Sequence, residues 1–535
     1  MRRHILAVLC VACVGVLASA WIVAQEQSPA LRQTAYLKAS NPGMYDHFGE
    51  GGSLDGHIGS GVAISGDGNT IAVGAQHESS SARGINGNQD NDDAYNAGAV
   101  YVFARTGANW AQQAYVKASN ADSGDHFGNV VALSADGNTL AVSAYFESGG
   151  ATGINGNQAD NSIPQSGAVY VFTRNGTTWT QQAYIKASNT GTAGVGDVPG
   201  DGDQFGFSLA LSDDGNTLAV GATSEDSVAN GINGNQTDNS TSSAGAVYVF
   251  ARTGPTWAQQ AYIKSDAPPM ATGGDQFGYS VALNADGNTL AIGVYDEGGS
   301  ARTVNGPIDM MRGGSGAAYV FMRAGGTWSR QAYIKTWNAE QGDSWGVSVA
   351  LSDDGNTLAM GSIDEDCVCT GVHTNAQTGD GDRQSDLSSG AAAVFTRSGT
   401  TWTQQAYVKA SNSGQNDWFG VRLALSGDGS TLLIGSQNED SAAQGINGRQ
   451  DDDSAIEAGA AYLFTRAGAT WAQQAYFKGS NTGEYDEFGS SVGLSRDGRT
   501  LVLGARGEDS NARGANGNQA DNSVDEAGAA YVFSR

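Results

Sequence analysis

The sequence predicts an all-β protein, a seven-bladed β-propeller built from four-stranded antiparallel blades. Three observations support this prediction: a unit of paired strands that recurs along the whole chain, a short turn at the centre of each unit, and an unmatched strand at the start. The turn glycine returns seven times, as Gly68, Gly137, Gly215, Gly287, Gly355, Gly429 and Gly498. A repeat of this period is typical of propellers and other arrays of small units.

Residues 202–222 show the first half of the unit most clearly. The run Phe207–Ser212 alternates large apolar residues with small ones, which predicts a strand with one buried face. Residues 213–216 then form a turn, because Asp, Gly and Asn tolerate the left-handed backbone that tight hairpins need. Residues 217–222 alternate again, so the two runs predict an antiparallel pair.

Two further strands complete each unit. The third is of the type Ala246–Phe250, and the fourth is of the type Trp110–Lys117. The seventh unit stops after its third strand, at residues 531–533, whereas residues 31–38 resemble a fourth strand that has no unit of its own. A circular array leaves no open sheet edge if the N-terminal strand completes the last blade, so we predict this closure.

The Phe-Gly step, the core x-Val-Ala-Leu-Ser-x-Asp-Gly-Asn-Thr-Leu-Ala-Val-Gly-Ala and the Val-Tyr-Val-Phe strand resemble the FG-GAP repeat. That repeat builds the β-propeller of integrin α subunits and of many bacterial exported proteins, and the resemblance covers residues 31–535. In the integrin-like version, calcium loops of the form Asp-x-Asp-x-Asp-Gly lie between strands 1 and 2. The turn at Ser212–Thr217 is too short for such a loop, so the resemblance does not imply integrin-style calcium binding here.

The start of the chain predicts an export signal. Two arginines precede an apolar run, and Ala18–Ala20 offers small residues for cleavage. We therefore divide the chain into a signal peptide, 1–24, and a single propeller, 25–535, in the periplasm, at the cell surface or outside the cell. An uncleaved anchor is the alternative, because residues 5–24 are just long enough to span a bilayer.

The net charge of −27 disfavours nucleic acid and anionic membranes as partners, since both bind basic surfaces. We expect no membrane insertion beyond the N-terminal segment. After that segment the chain keeps only Cys367 and Cys369, so no disulfide framework is expected. These two cysteines could form a local disulfide, stay as free thiols, or join His373 in a soft metal site.

The two faces of the predicted ring differ. The loops joining strands 2–3 and 4–1 emerge on one face, which we call the loop face. The 1–2 and 3–4 turns emerge on the other, which we call the turn face. The 2–3 loops are long, as in Glu225–Gly245, whereas the turns are short. Function tends to lie on elaborated loops, so we expect a ligand on the loop face.

Five of the seven 2–3 loops carry a run rich in Asn and Asp. The candidate calcium ligands are Asn155, Asn157, Asp160, Asn161, Asn233, Asn235, Asp238, Asn239, Asn516, Asn518, Asp521 and Asn522. Calcium takes six to eight oxygen ligands from carboxylates, amides and carbonyls, so these loops offer suitable chemistry. The alternative is that the same residues form Asx turns that hold a long loop without metal.

Other recurring residues predict structure rather than chemistry. An Asp precedes every Phe-Gly or Trp-Gly step, a Glu follows every second strand and a Lys ends every fourth strand. We interpret them as a structural ion-pair network, because no unit departs from the pattern. The six tryptophans that open the fourth strands are expected to be core residues, since Leu31 replaces them in the orphan strand. In the first unit, His47, His57 and His77 form a candidate transition-metal site.

These observations favour a non-enzymatic, exported binding or adhesion propeller that holds a protein or glycan with its loop face, with calcium dependence left open. We expect the ligand near units 4 to 6, where the repeat is least regular. One alternative is a secreted polysaccharide lyase or hydrolase with an axial site. Another is an envelope protein that associates with itself through a large apolar patch on the turn face or rim. The sequence leaves the oligomeric state open.

Overall fold

The computed structural model describes residues 30–50, 59–191, 202–266, 274–367, 369–374 and 388–535. The predicted signal peptide, 1–24, and His57 lie outside these residues. Within them the chain forms seven antiparallel sheets and no helix, which confirms the all-β prediction. Accordingly, this part of the chain contains no helix that is long and apolar enough to cross a membrane.

Each sheet is one blade, and the strands follow chain order within it. The first strands, which line the axis of the ring, are Val62–Ile64, Val131–Leu133, Phe205–Leu211, Ser280–Leu283, Ser348–Leu351, Arg422–Leu425 and Phe488–Leu494. The second strands are Thr70–Ala75, Thr139–Ala144, Thr217–Ala222, Thr289–Val294, Thr357–Ser362, Thr431–Ser436 and Thr500–Ala505.

The third strands are Ala99–Thr106, Ala168–Asn175, Ala246–Thr253, Ala317–Ala324, Ala391–Ser398, Ala460–Ala467 and Ala529–Ser534. The fourth strands are Asn109–Val116, Thr178–Ile185, Thr256–Ile263, Thr327–Ile334, Thr401–Val408, Thr470–Phe477 and, for blade 7, Arg32–Leu37. A two-residue strand, Val372–His373, pairs with the outer edge of blade 5.

The N-terminal strand closes the ring, as the sequence predicted. It pairs antiparallel with the last strand, so that Arg32 lies opposite Ser534 and Leu37 lies opposite Ala530. The first strands of blades 1 and 7 also contact each other at the axis. The first and last strands therefore share one sheet, and the ring of blades is closed.

The short 1–2 turns are held by their own side chains. In blade 3, Ser212 Oγ donates to Asp214 Oδ1 at 2.6 Å, and the backbone N–H of Asn216 donates to the same oxygen at 2.9 Å. Gly215 has a φ of 66°, a left-handed conformation that glycine adopts without a Cβ clash. The Asp-Gly-Asn signature thus closes the turn with its own side chains.

The Gly-Ile-Asn part of the long 2–3 loops covers the outer edge of the blade in blades 1, 2, 3 and 6. In blade 2, Ile154 bridges Ile185 of the fourth strand. Next to it, Asn155 Oδ1 accepts the backbone N–H of Tyr184 at 3.0 Å, and the N–H of Asn155 donates to the Tyr184 carbonyl at 2.7 Å. The loop therefore pairs an edge that would otherwise expose backbone groups to other chains.

On the turn face, tryptophan joins neighbouring blades, which confirms that these residues belong to the core. Trp179 is 3% exposed, and its Nε1–H donates to Gln113 Oε1 of the preceding blade at 3.0 Å. The Arg174 guanidinium lies over the indole, 5.2 Å from the ring centroid. Arginine at this distance adds a cation–π contact to the packing.

On the loop face, each blade buries one lysine against one glutamate. In blade 2, Lys186 Nζ lies 2.7 Å from Glu147 Oε2, and Tyr184 Oη donates to the other carboxylate oxygen at 2.8 Å. Asn120, from the preceding 4–1 loop, donates to that oxygen at 3.0 Å. The same Lys–Glu pair occurs in all seven blades, as Lys38–Glu508, Lys117–Glu78, Lys186–Glu147, Lys264–Glu225, Lys335–Glu297, Lys409–Glu365 and Lys478–Glu439. This confirms the lysine and glutamate members of the predicted network, and the bond from Asn120 joins the blade to the loop that enters it.

Candidate functional site at the axis

The departures from the repeat meet at the axis of the ring, on the loop-face side. Each blade contributes the residue before its Phe-Gly or Trp-Gly step, the residue after it, and the first residues after its second strand. The residue before the step has a left-handed φ of 50° to 58° in all seven blades, at His47, His126, Gln204, Gln276, Ser344, Trp418 and Glu487. A non-glycine residue held in this conformation is uncommon, so the surrounding loops must fix it.

One side of this axial region is apolar. Tyr145, Phe207, Tyr279 and Val347 come from blades 2 to 5 and form a buried cluster. The Phe207 and Tyr279 ring centroids lie 5.1 Å apart, and Tyr145 and Phe207 lie 6.3 Å apart. Tyr295 and other partly exposed side chains pack against the cluster from outside. This side of the axial region is therefore mainly aromatic.

The opposite side, from blades 7 and 1, is polar and ionisable. His47 and His77 face each other with their Nδ1 atoms 2.8 Å apart. Glu50 Oε2 lies 3.4 Å from Nδ1 of His47 and 3.7 Å from Nδ1 of His77. Glu50 and His47 are buried, whereas His77 is partly exposed. Two imidazoles and one carboxylate thus converge on one point.

A second layer of side chains holds this group. His47 Nε2 lies 2.8 Å from Glu526 Oε2, and Gln76 Nε2 donates to Glu50 Oε2 at 2.6 Å. Arg506 Nη1 donates to the other oxygen of Glu50 at 3.4 Å. All five side chains come from the ends of the chain, which the closed ring brings together.

Charge coupling within this group is strong. Burial opposes ionisation of Glu50, but His47, His77 and Arg506 outweigh it and lower the Glu50 pKa to about 2. Burial also disfavours a charged His47, yet the carboxylates of Glu50 and Glu526 raise the His47 pKa to about 9. The Glu50 carboxylate is therefore ionised at neutral pH, because the basic groups around it favour the charged form.

A central cavity of about 180 Å³ lies along the first strands of all seven blades. Arg422 lines it and is 5% exposed. Its Nη1 donates to the Val421 carbonyl at 2.8 Å, but its Nε and Nη2 groups have no hydrogen-bond partner among the described residues. Burial lowers the Arg422 pKa to about 9. This guanidinium breaks the repeat, because serine occupies the position in blades 3, 4, 5 and 7.

The aspartate before each Phe-Gly step does not join the Lys–Glu pair. In blade 2, Asp125 Oδ2 accepts the backbone N–H of Asp122 at 2.9 Å. Burial is the main cause that raises the pKa of Asp46, Asp125, Asp275, Asp343, Asp417 and Asp486 to about 7 and that of Asp203 to about 8. The aspartates thus brace the 4–1 loops, and only lysine and glutamate form the predicted ion pairs.

The candidate calcium ligands have several separate roles. In blade 2, Asn155 pairs with the fourth strand, whereas Asn157 Oδ1 and Asp160 Oδ1 accept the backbone N–H groups of residues 159 and 162, at 3.2 and 3.0 Å. Asn161 Nδ2 donates to Asp122 Oδ2 at 2.8 Å.

The equivalent residues of blades 3 and 7 repeat most of this pattern. Asn233 and Asn516 accept the N–H groups of Tyr262 and Tyr36, each at 3.0 Å. Asn235, Asp238 and Asn518 accept from the residue two positions on. Asn239, Asp521 and Asn522 lie in the same loops, and Asn239 and Asn522 are exposed. Asx turns and strand pairing therefore account for the regular spacing, and calcium binding stays a prediction.

Blade 5 differs from the others in its 2–3 loop. Cys367 and Cys369 form a disulfide, and the backbone of His373 pairs with that of Tyr407 in the fourth strand. The acidic residues that follow, Asp380 and Asp382, lie outside the described residues. The disulfide therefore closes the described part of this loop locally.

His47 and His77 were expected from the sequence, whereas Glu50, Glu526 and Arg422 were not. A position-by-position comparison of the seven units around the Phe-Gly step reveals Glu50 and Arg422, whereas Glu526 shares its position with Glu457 of blade 6 and does not depart from the repeat there. Glu50 stands where other blades have Asn, Phe, Tyr, Val or Ser. At the position of Arg422, the other six blades have Ser, Val or Gly.

Solved structures that are similar to this chain share little sequence with it. The chain is similar in fold to a chain of the mitotic checkpoint complex, with 11% identity, coverage of 100% of this chain and 99% of that one, and a TM-score of 0.45. It is also similar to the periplasmic gluconolactonase PpgL of Pseudomonas aeruginosa, with 14% identity, coverage of 84% and 97%, and a TM-score of 0.44. The propeller domain of Cps50 (Swd1) from Myceliophteria thermophila gives 8% identity, coverage of 95% and 100%, and a TM-score of 0.46.

No curated protein sequence matches the chain. A family model described as FG-GAP repeat matches three segments, residues 110–172, 402–464 and 471–533. Each segment runs from the fourth strand of one blade to the third strand of the next, which is the same unit that recurs around the whole ring. The chain is therefore a seven-bladed β-propeller that contains FG-GAP repeats, an architecture consistent with an integrin-α-like propeller.

Proposed function

We propose that this protein is an exported, non-enzymatic binding propeller that holds a protein or glycan partner with its loop face. One observation carries the proposal. Among the described residues, the large hydrophobic side chains that are exposed all lie in 2–3 or 4–1 loops. They are Met44, Tyr45, Tyr95, Val228, Met311, Ile456 and Tyr485. The described part of the turn face exposes no such side chain, whereas the self-association alternative needs an apolar patch there or on the rim.

Most of these side chains form an arc over blades 6, 7 and 1. Tyr485 donates its backbone N–H to the Ile456 carbonyl at 2.8 Å, which places the two exposed residues side by side. Tyr45 occupies the same place one blade further on, and its N–H donates to the Asp525 carbonyl at 3.0 Å. Tyr95 follows in blade 1 and is 72% exposed. We call these four residues, Tyr45, Tyr95, Ile456 and Tyr485, the aromatic arc.

The chemistry of the arc suits protein or sugar partners. Tyrosine offers a large apolar ring and a hydroxyl, and it loses little conformational entropy when it is held in an interface. The arc borders the polar side of the axial region, since the Tyr45 and His47 ring centroids lie 6.5 Å apart. A partner would therefore contact both aromatic and charged side chains. We therefore place the binding surface on blades 6, 7 and 1, and not on blades 4 to 6 as the irregular sequence suggested.

Binding to cell envelopes of the source organism tests this surface. The purified chain is incubated with envelope fragments, and the bound fraction is measured for the wild type, for a Tyr45→Ser/Tyr95→Ser/Tyr485→Ser variant and for a Val228→Ser/Met311→Ser control. We expect at least a tenfold loss for the arc variant and less than a twofold change for the control. Equal binding of the arc variant and the wild type would contradict the proposal. Prior treatment of the fragments with protease or periodate then separates a protein partner from a glycan.

Calcium dependence is a finer part of the proposal. Thermal unfolding with calcium and then with excess chelator measures it, because a ligand bound only by the native state raises the midpoint. If calcium occupies the 2–3 loops, the shift disappears in an Asp160→Ala/Asp238→Ala variant. An unchanged midpoint at millimolar calcium would leave the Asx turns as the complete explanation of these loops.

A further inference from the structure

We propose that His47, Glu50 and His77 form a binding site for a divalent transition-metal ion of the zinc type, with Nδ1 of both histidines and Oε2 of Glu50 as ligands. These three atoms lie within 4.8 Å of one another. Histidine nitrogen and carboxylate oxygen are the ligands that zinc and its neighbours accept most readily besides thiolate. This inference is independent of the aromatic arc and of its partner.

The distances fit a metal ion. The three ligand atoms form a triangle with edges of 2.8, 3.4 and 3.7 Å. A point equally distant from its corners lies about 2 Å from each atom, which is the usual length of zinc–nitrogen and zinc–oxygen bonds. Two ring nitrogens that face each other at 2.8 Å beside a carboxylate need a shared proton or a cation between them. A divalent ion meets that need and displaces the proton.

The surrounding side chains have the arrangement that metal sites use. Glu526 Oε2 lies 2.8 Å from Nε2 of His47, the ring nitrogen that does not point to the site. A carboxylate in this position fixes the tautomer of a ligating histidine and strengthens it as a ligand. Gln76 donates to Glu50 Oε2 at 2.6 Å and holds the carboxylate in place. The proposed ligands are therefore oriented before an ion arrives.

The location also points to a dedicated site. Among seven nearly equivalent blades, only blade 1 has His at position 77 and Glu at position 50, and no other described His, Cys, Asp or Glu residues form such a group. Structural roles in this ring are repeated from blade to blade, as the Lys–Glu pairs show. His77 is partly exposed, so solvent or a ligand reaches the site from the loop face. Three protein ligands with one accessible side are typical of a metal that keeps an open position.

The full chain, purified and treated with chelator, is titrated with Zn²⁺ by calorimetry, and Co²⁺ is added separately to record its visible absorption spectrum. We expect one Zn²⁺ per chain and a cobalt spectrum of low coordination number. His77→Asn and Glu50→Gln should each weaken binding by about 100-fold or more. Glu526→Gln should weaken it by about 10- to 100-fold, because it removes only the carboxylate behind His47.

The variants use residues that the fold already accepts, since Asn occupies position 77 in blade 6 and Gln occupies position 47 in blades 3 and 4. His47→Gln therefore removes a ligand without a foreign side chain. His373→Gln, in blade 5, is the matched control and should leave the affinity unchanged. Absence of stoichiometric Zn²⁺ or Co²⁺ binding by the wild type would overturn the proposal. Equal losses in His373→Gln and His47→Gln would overturn it as well.

Discussion

Lys186 Nζ lies 2.7 Å from Glu147 Oε2, and both side chains are almost completely buried. The pair is one of seven, and it differs from a surface salt bridge because no solvent screens it. Its neighbours Tyr184 and Asn120 occupy the remaining acceptor positions of the carboxylate. Removal of either charge therefore leaves the other buried with incomplete compensation.

We expect Lys186→Met to destabilise the propeller by about 3–5 kcal/mol, because Glu147 would remain buried without its cation. The double variant Lys186→Met/Glu147→Gln should recover more than half of this loss, since it buries no net charge. Arg83→Met, which breaks the exposed Arg83–Asp122 pair, should cost less than about 1 kcal/mol. Urea unfolding measures all three. A double variant no more stable than Lys186→Met would contradict the ion-pair explanation.

Buried aspartates should make stability fall as pH rises. The pKa of Asp125 is about 7 in the fold, mainly because of burial, and the ordinary value is 3.8. Between these values the folded state holds a proton that the unfolded state has lost, so each pH unit costs up to about 1.4 kcal/mol. Asp125→Asn should therefore gain stability relative to the wild type from about pH 4 to pH 7. A constant difference across this range, measured by urea unfolding, would show that Asp125 is ionised throughout.

Arg422→Ser should stabilise the protein. Ser208, Ser280, Ser348 and Ser491 occupy the same position in other blades, and each donates to a glycine carbonyl of the next blade at 2.7 or 2.8 Å. Arg422 leaves two N–H groups without a partner among the described residues, and each such group costs about 1–3 kcal/mol.

We expect the free energy of unfolding of Arg422→Ser to rise by about 1–3 kcal/mol in urea unfolding. Arg506→Ser is the matched control and should lose stability, because Arg506 pairs with Glu487. A loss of stability in Arg422→Ser would instead mean that the guanidinium is satisfied in the native protein.

Leu31→Trp should strengthen the closure of the ring. Leu31 occupies the place of the six tryptophans, and blade 7 keeps their partners, Arg535 in the stacking position and Gln474 in the acceptor position. An indole there can repeat the contacts that Trp471 makes with Arg466 and Gln405. We expect a gain of about 1 kcal/mol, and a loss for Leu31→Ala. No gain in the unfolding midpoint would show that the N-terminal strand is seated differently from the other fourth strands.

The fold could be predicted from the sequence because its signals are local and repeated. The alternation in residues 207–212, the Asp-Gly-Asn turns and the unpaired strand at 31–38 each indicate their own structure, and seven copies remove the ambiguity of one. The axial site could not be predicted in this way. Glu50 and Arg506 lie at opposite ends of the chain, and only the closed ring brings them together. Single positions that depart from a strong repeat are also difficult to recognise from the sequence.

The Asn-rich run is also an incomplete guide to which 2–3 loops pair with the blade edge. Blade 4 lacks the Asn-rich run and has Asn-Gly-Pro at residues 305–307, yet Asn305 Oδ1 accepts the N–H of Tyr333 at 2.9 Å as its equivalents do. The residue that matters for the edge of the blade is the asparagine itself, in a left-handed conformation with a φ of 54°. Its neighbours vary without loss of that role.

The central claim is that every blade buries its lysine against a glutamate of the same blade, and that these seven pairs stabilise the propeller from within. The chain has seven lysines, and all seven are in these pairs and at most 3% exposed. Mass spectrometry after brief treatment of the native protein with an amine-acylating reagent tests the claim directly. We predict no modified lysine in the native protein and seven in the unfolded one. Rapid labelling of several lysines in the native protein would contradict the claim.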